Sequence, residues 1–256
     1  MGLRDIIKYI DPDFYIKKFT TLVHGEFEKE PLHWKIFDWT VDIIVYLFLA
    51  VAIYHILGWA LNTPVPISTV TSGSMEPTLY RGDVVIVQGV NIKDLHVPVV
   101  EISKDIKNVM LSDIAEITYA APGYCDALLQ PNHTLYVKCP QTEQIRFKNT
   151  TSGPKTIDIN RDGEIIVYHS DYLQKDIIHR AVVKIKTPEG WYVLTKGDNN
   201  STNTMIDQDC IQKIDGYRLD HPWCITLYPT PQSEVKGKVL FKIPYIGYIK
   251  LLLFGR

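Results

Sequence analysis

The longest run of apolar residues lies between positions 43 and 61 and contains no Asp, Glu, Lys or Arg. At about 1.5 Å per residue, a helix of this length nearly spans the roughly 30 Å hydrocarbon core of a bilayer. The pattern therefore predicts one transmembrane helix at residues 39–61, with a buried core helix as the alternative. The long segment before it, residues 1–38, is atypical of a cleaved signal peptide.

The segment of residues 1–38 carries apolar side chains at helical spacing, at Leu3, Ile6, Ile7 and Ile10. This spacing predicts either an amphipathic helix on the inner membrane face or a plain cytoplasmic extension. Several basic residues precede the apolar run, and the first one after it is Arg81. Because basic residues favour the cytoplasmic side, we expect a single-pass protein of the cell membrane, with its N-terminus inside and residues 62–256 outside.

Beyond residue 62, the apolar positions form short runs rich in Val and Ile, separated by turn residues. That pattern predicts a mainly β fold. With 256 residues and 46% hydrophobic content, the chain is long enough to bury a sizeable core. Its formal charge of −2 and pI near 6.4 give no basic footprint, so we expect no nucleic-acid partner.

A candidate nucleophile lies in the string Ser72-Gly73-Ser74-Met75-Glu76-Pro77-Thr78, which leads into Arg81-Gly82-Asp83 and a Val/Ile run. Ser74 lies between glycine and a bulky apolar residue, as a nucleophile on a tight turn would. A plain turn that enters an edge strand is the alternative. Even a fully extended chain keeps Ser74 within roughly 45 Å of Leu61, so we expect it near the membrane surface.

A serine hydroxyl is a weak nucleophile unless a general base lies within hydrogen-bonding reach. The sequence offers His179, at the end of the apolar run in Asp176-Ile177-Ile178-His179-Arg180. Taken alone, a histidine in such a run is more often structural than catalytic. Its assignment as the base therefore depends on the motifs that accompany it.

Four strings together resemble type I signal peptidases of the histidine type, found in archaea and in the eukaryotic microsomal enzyme. They are S-G-S-M-x-P-T followed by G-D, I-I-H-R, T-K-G-D-N-N at 195–200, and the segment 235–248 with its P-x-x-G turn. The resemblance covers residues 40–90 and 160–248. It implies an antiparallel β catalytic domain, and a membrane-bound serine endopeptidase (a hydrolase) that removes signal peptides from secretory preproteins. It also implies Ser74 as nucleophile, His179 as base, and no metal or organic cofactor.

The carboxylate that would orient His179 is marked less clearly. Asp198 is one candidate, because a carboxylate can fix the imidazole tautomer. The family commonly has a further aspartate six residues later, and that position here is Thr204. Asp207 and Asp209 are the replacements, and a loop insertion of three residues would bring Asp207 into place. We predict Asp207 as the partner of His179, with Asp198 supporting the site.

The resemblance also implies an oxyanion hole beside the nucleophile. Its default donor is the backbone N–H of Ser74. In related enzymes a hydroxyl two residues earlier adds a second donor, and that position here is Ser72. Arg180, which follows the base, is expected to be structural.

Residues 91–160 lie outside the resemblance, and their turn signals predict an inserted β subdomain. All four cysteines follow the apolar run, at Cys125, Cys139, Cys210 and Cys224. Because no C-x-x-C is present, a zinc site is not expected. Four cysteines allow three disulfide pairings, and the sequence does not choose among them. Cys125 with Cys139 and Cys210 with Cys224 would each close a local loop. Four buried thiols are the alternative.

The substrates that the resemblance implies are preprotein signal peptides that end in small side chains and bind as extended strands. The expected partners also include membrane lipid, with the secretion channel or accessory subunits as further ones. The alternative function is that of a catalytically inactive family member, acting as a binding or accessory subunit. Its support in the sequence is Thr204, where the family has aspartate.

Overall fold

The computed structural model describes residues 11–25, 31–130, 133–214, 217–248 and 252, without the side chains of residues 24, 121–140 and 211–223. The chain divides into two compact units, Met1–Ala60 and Leu61–Arg256. In its described part the first unit is helical, and the second is mainly β.

Two helices form the described part of the first unit, α1 at Pro12–His24 and α2 at Leu32–Ala60. Asp11 caps α1 by accepting a hydrogen bond from the backbone N–H of Asp13. Helix α2 has 29 residues, a mean hydropathy of 2.2 in its most apolar window and no buried residue. It is therefore long and apolar enough to cross a membrane. The apolar spacing at residues 3–10 lies outside the described residues.

In its described part the second unit contains thirteen strands, the short α-helix α3 at Leu111–Ile114, and two 3-10 helices at Ile92–Asp94 and Gln232–Glu234. The strands are β1 Ile67–Thr69, β2 Val84–Gln88, β3 Val99–Glu101, β4 Ala115–Gln130, β5 His133–Phe147, β6 Lys155–Asp158, β7 Ile165–Ser170, β8 Lys175–Thr187, β9 Gly190–Lys196, β10 Ile211–Ile214, β11 Tyr217–Trp223, β12 Thr230–Pro231 and β13 Val235–Ile243.

Eight of these strands form the main sheet, in the order β1-β2-β13-β7-β8-β9-β12, with β3 beside β8. All its described pairs are antiparallel except β3 with β8, which is parallel. The predicted fold class, a mainly β antiparallel domain after one apolar helix, is therefore confirmed. The central hairpin of β7 and β8 matters most for the site, because its register places His179 opposite Ile166.

A separate three-stranded sheet, in the order β4-β5-β6, lies within the predicted insertion. Its apolar face packs on the main sheet, since Ile145 and Phe147 share one buried cluster with Val183 and Leu194. Strand β3 also lies within residues 91–160, yet it belongs to the main sheet. The separate sheet is therefore confined to residues 115–158, a narrower segment than the prediction.

A disulfide joins Cys210 to Cys224, two residues 14 apart in sequence, and closes the local loop that carries β10 and β11. This is one of the two local pairings that the sequence left open. The other, Cys125 with Cys139, lies outside the described side chains.

Candidate active site

The candidate nucleophile lies on the loop between β1 and β2, and buried apolar residues hold that loop in place. Met75, next to Ser74, is only 1% exposed. The backbone N–H of Leu79 donates to the carbonyl of Met75, at 2.9 Å. Both side chains belong to one core cluster, whose buried members are Val70, Met75, Leu79, Val85, Val87 and Val167. Burial of Met75 therefore fixes the turn from which Ser74 reaches the surface of the domain.

His179 lies on β8 with its side chain 3% exposed, between Ser74 and Asp207. Its Nε2 is 2.9 Å from the hydroxyl oxygen of Ser74, and its Nδ1 is 2.7 Å from Oδ2 of Asp207. An ionised carboxylate can only accept hydrogen bonds, so Nδ1 carries the proton in this arrangement. The Nε2 of a neutral imidazole is then free to accept the proton of Ser74.

Asp207 is held by its backbone on both sides. Its N–H donates to the carbonyl of Thr195 on β9, at 2.9 Å, and its carbonyl accepts from the N–H of Ile225, also at 2.9 Å. Thr204 is also buried, and its carbonyl accepts from the N–H of Thr142 at 2.9 Å. The residue beside the imidazole is therefore Asp207, three positions beyond the one that the family motif marks.

Asp198 lies apart from His179 in the hydrogen-bond pattern and pairs with Arg180 instead. Its two oxygens accept from Nε and Nη2 of Arg180 at 2.8 and 2.6 Å, and its side chain is 2% exposed. Burial pushes the pKa of Asp198 upward, but hydrogen bonds from Arg180 and Thr78 more than reverse this and hold it below its usual value. Asp209, the third candidate, accepts from the hydroxyl of Tyr119 at 2.7 Å.

The G-D-N-N part of the T-K-G-D-N-N motif begins the loop of residues 197–204, which contacts the nucleophile turn. The backbone N–H of Asn199 donates to the carbonyl of Ser74 at 2.9 Å, and its side-chain amide donates to the carbonyl of Gly73, also at 2.9 Å. Gly197 permits this approach, because a Cβ there would lie 2.7 Å from the carbonyl oxygen of Ser74. Asn199 thus binds the nucleophile turn at two successive carbonyls.

Lys196 stabilises the same loop through hydrogen bonds from its side chain. Its ammonium group donates to Gly197, Asn200 and Asn203 at 3.0, 2.9 and 2.7 Å. Burial lowers the pKa of Lys196 to about 8, although the charges of Asp207 and Asp198 act in the other direction. All three donors of the ammonium group are used within the loop, which is consistent with a structural role.

Ser72 lies beside the nucleophile, with its hydroxyl oxygen 3.1 Å from that of Ser74. Such a hydroxyl can turn toward the nucleophile or toward a group bound next to it, since its hydrogen rotates freely. Ser72 therefore occupies a position from which it could donate to a developing oxyanion.

A cleft of about 390 Å³ opens over these groups. It is lined by residues 68–75, residues 175–179, Thr202, Asn203 and Ile225. Among the described residues, β1 pairs only with β2, and Lys175 to His179 pair only with β7. The backbone of both walls can therefore still form hydrogen bonds with an extended segment in the cleft.

Three residues beside this site were not assigned a role from the sequence. Thr78 and Asn199 are members of the motifs, and Tyr168 lies in a strand-like run of apolar residues. In the structure, the hydroxyl of Tyr168 donates to Oδ2 of Asp207 at 2.9 Å. A tyrosine in a Val/Ile-rich strand is ordinarily interpreted as a core residue. The sequence therefore gives no indication that its hydroxyl contacts the site.

A serine, a histidine and an aspartate in one hydrogen-bonded row form the arrangement that serine hydrolases use. Within the described part of the chain, no cluster of His, Cys, Asp and Glu side chains is arranged to hold a metal ion. No protein-family model matches the chain.

The chain is similar to fungal proteins named signal peptidase complex catalytic subunit SEC11. It is 31% identical to that of Metarhizium acridum over 91 residues, which are 36% of this chain and 44% of the relative. It is 24% identical to that of Tuber melanosporum over 214 residues, which are 83% of this chain and 76% of the relative. The match with the higher identity, to the Metarhizium acridum protein, thus covers less than half of that relative's length. The predicted resemblance to signal peptidases of the histidine type is confirmed.

Proposed function

We propose that this protein is a membrane-anchored serine endopeptidase that removes signal peptides from secretory preproteins. The observation that carries the proposal is the contact of Ser74 with His179, 2.9 Å between hydroxyl oxygen and Nε2 in an open cleft. The similarity to proteins named as signal peptidase catalytic subunits supports the substrate class.

In the proposed reaction, the hydroxyl oxygen of Ser74 attacks the scissile carbonyl carbon while Nε2 of His179 takes the hydroxyl proton. Collapse of the tetrahedral intermediate breaks the C–N bond, and the imidazolium returns the proton to the leaving amine. Water, deprotonated by the same imidazole, then hydrolyses the acyl-enzyme and frees the Ser74 hydroxyl. Asp207 holds the tautomer that this sequence of transfers needs and stabilises the imidazolium.

The developing oxyanion would accept hydrogen bonds from the backbone N–H of Ser74 and the hydroxyl of Ser72. Asn199 supports this role, since it holds the carbonyls of Gly73 and Ser74 on the side away from the cleft. Donors that are fixed before the reaction need no reorganisation in the transition state, which is why such sites contribute strongly to rate.

The substrate would lie as an extended strand between the backbone of β1 and the first part of β8. Met75 lines the cleft and is fixed in the core. The space beside it would therefore suit small side chains at the cleaved end of the signal peptide. Main-chain hydrogen bonds would supply affinity, and steric limits near Ser74 would exclude larger groups.

Helix α2 would serve as the anchor, with the N-terminus in the cytoplasm and the β unit on the outer side of the membrane. The basic residues before the apolar run support this orientation. Membrane lipid and the signal peptide would then meet the protein at the same surface, and the secretion channel or accessory subunits are proposed as further partners.

The test is cleavage of a preprotein by the full-length protein in lipid or detergent. We expect one cut after a signal peptide that ends in A-x-A, identified by the mass of the mature product. A matched preprotein with leucine at both small positions should remain intact. Failure to cut any preprotein under these conditions would favour the inactive binding subunit. The position of Asp207 beside His179 supports the active enzyme.

A further inference from the structure

Tyr168 is a fully buried tyrosine on β7, with 0% of its surface exposed. Its hydroxyl donates to Oδ2 of Asp207 at 2.9 Å. The same oxygen accepts from Nδ1 of His179 at 2.7 Å. Two donors therefore share one carboxylate oxygen, one on each of the paired strands β7 and β8.

The direction of the bond from Tyr168 follows from its surroundings. Burial, and next the negative charge of Asp207, raise the pKa of Tyr168 well above its usual value. The phenol is therefore protonated at neutral pH and donates to the carboxylate. The side chain of Thr195 acts in the opposite direction and lowers the pKa of Tyr168, which makes the phenol a stronger donor to Asp207.

The other carboxylate oxygen of Asp207, Oδ1, is buried and has no hydrogen-bond partner among the described residues. The orientation of the carboxylate thus depends on its two bonds through Oδ2. One of these bonds leads to His179, whose charge changes during the proposed reaction. The other bond comes from Tyr168, whose charge does not change during the reaction.

We propose that Tyr168 is a positioning residue, which holds Asp207 toward His179 and limits how strongly this carboxylate attracts a proton to the imidazole. The inference rests on the proposed function. A hydrogen bond to an ionised group takes up part of its charge. Without the bond from Tyr168, Asp207 interacts more strongly with the charged imidazole, and His179 is protonated at a higher pH.

Other charged groups face this row from the neighbouring elements. The charge of Asp207 acts on Lys196 of β9, and the charge of Glu234 acts on Tyr168. Arg180 follows His179 on β8 and is paired with Asp198. Removing a single neutral hydroxyl leaves all four of these groups in place, so a change in the titration of His179 reports on Tyr168.

The experiment compares full-length wild type with Tyr168→Phe in detergent micelles. The imidazole of His179 is titrated by NMR, with its signal assigned from the His179→Gln variant. We expect the titration midpoint to rise by roughly half a unit to one unit in Tyr168→Phe. Tyr192→Phe is the matched control, since it removes another tyrosine hydroxyl that donates to an aspartate, Asp105, away from the cleft.

Kinetics with a signal-peptide substrate give the second readout. We expect kcat to fall about tenfold in Tyr168→Phe, and KM to stay within about twofold, because Tyr168 does not line the cleft. Thr195→Val, which removes the hydroxyl beside Tyr168, should shift the midpoint in the same direction by less. It provides the same comparison if the phenylalanine variant does not fold.

An unchanged His179 midpoint in Tyr168→Phe, or in Thr195→Val if it replaces that variant, would overturn the inference. So would a midpoint that falls. If the wild-type protein cleaves no substrate, yet the His179 midpoint still rises in Tyr168→Phe, the proposed function is overturned. The contact of Tyr168 with Asp207 is then still supported. The two proposals therefore fail on different measurements.

Discussion

The hydroxyl oxygen of Ser74 lies 2.9 Å from Nε2 of His179, although 105 residues separate the two in sequence. The loop after β1 brings the serine, and the register of β7 with β8 brings the histidine. Asp207 completes the row from the segment that follows β9. His179 lies on the sheet itself, whereas buried residues hold the loop of Ser74 and backbone hydrogen bonds hold the segment of Asp207. The geometry of the row therefore depends on the packed fold.

The first prediction concerns pH. His179 must be neutral to accept the proton of Ser74, so kcat/KM should rise from acidic to neutral pH as the imidazole loses its proton, and then level off. Initial rates on one signal-peptide substrate in a constant-ionic-strength buffer check this. A flat profile over that range would contradict a histidine base.

The second prediction concerns Ser72. If its hydroxyl donates to the oxyanion, Ser72→Ala should lower kcat by about two decades, with KM little changed. Ser72→Thr keeps a hydroxyl and should recover a large part of that loss. The comparison of kcat in the two variants distinguishes a lost donor from a disturbed turn, since equal losses in both would point to the turn.

The third prediction concerns Asn199, whose side chain binds the carbonyl of Gly73. In Asn199→Ala this bond is lost and the nucleophile turn is held less firmly, so kcat should fall roughly tenfold. Asn160→Ala serves as the control, because among the described residues its side chain accepts from a neighbouring exposed N–H, that of Asp162, and not from the nucleophile turn. Full activity in Asn199→Ala would show that the turn is rigid without the bond.

The fourth prediction concerns acid stability. The pKa of Asp198 is held below its usual value, so its ionised form stabilises the fold above the pKa of the unfolded chain. That contribution is lost as pH falls through the folded value. Asp198→Asn leaves the partly buried Arg180, whose side chain is 12% exposed, without its carboxylate partner and should lower the free energy of unfolding by about 3 kcal/mol at neutral pH.

Thermal unfolding at pH 7 and pH 3 measures this effect. The difference between wild type and Asp198→Asn should begin to narrow below about pH 4, the usual pKa of an aspartate in the unfolded chain, and should continue to narrow down to the lower pKa of folded Asp198. Asp162→Asn, at an exposed position, should unfold like wild type at both pH values. A gap that persists unchanged at pH 3 would contradict the ion-pair explanation.

Much of the fold was predictable from sequence because it depends on local patterns. The uninterrupted apolar run predicts α2, and the short Val/Ile runs between turns predict the β unit. The motifs name Ser74, His179 and Asp198 through residue types at fixed spacing. Asp207 required one further step, since Thr204 occupies the usual position and only a carboxylate nearby could replace it.

Contacts between distant elements were not predictable, because no local pattern encodes them. The pairing of Asp198 with Arg180 depends on β8 and the loop after β9 lying side by side. The hydroxyl of Tyr168 reaches Asp207 only because β7 passes beneath the site. Strand β3 pairs in parallel with β8, which is far away in the chain. No local pattern in the sequence indicates this pairing.

The most direct test of the central claim is the cleavage rate of one preprotein by wild type and by Ser74→Ala, with Ser103→Ala, at an exposed serine, as the control. We predict that kcat/KM falls at least roughly a thousandfold in Ser74→Ala and is unchanged in the control. Cleavage by Ser74→Ala at the wild-type rate would contradict the account.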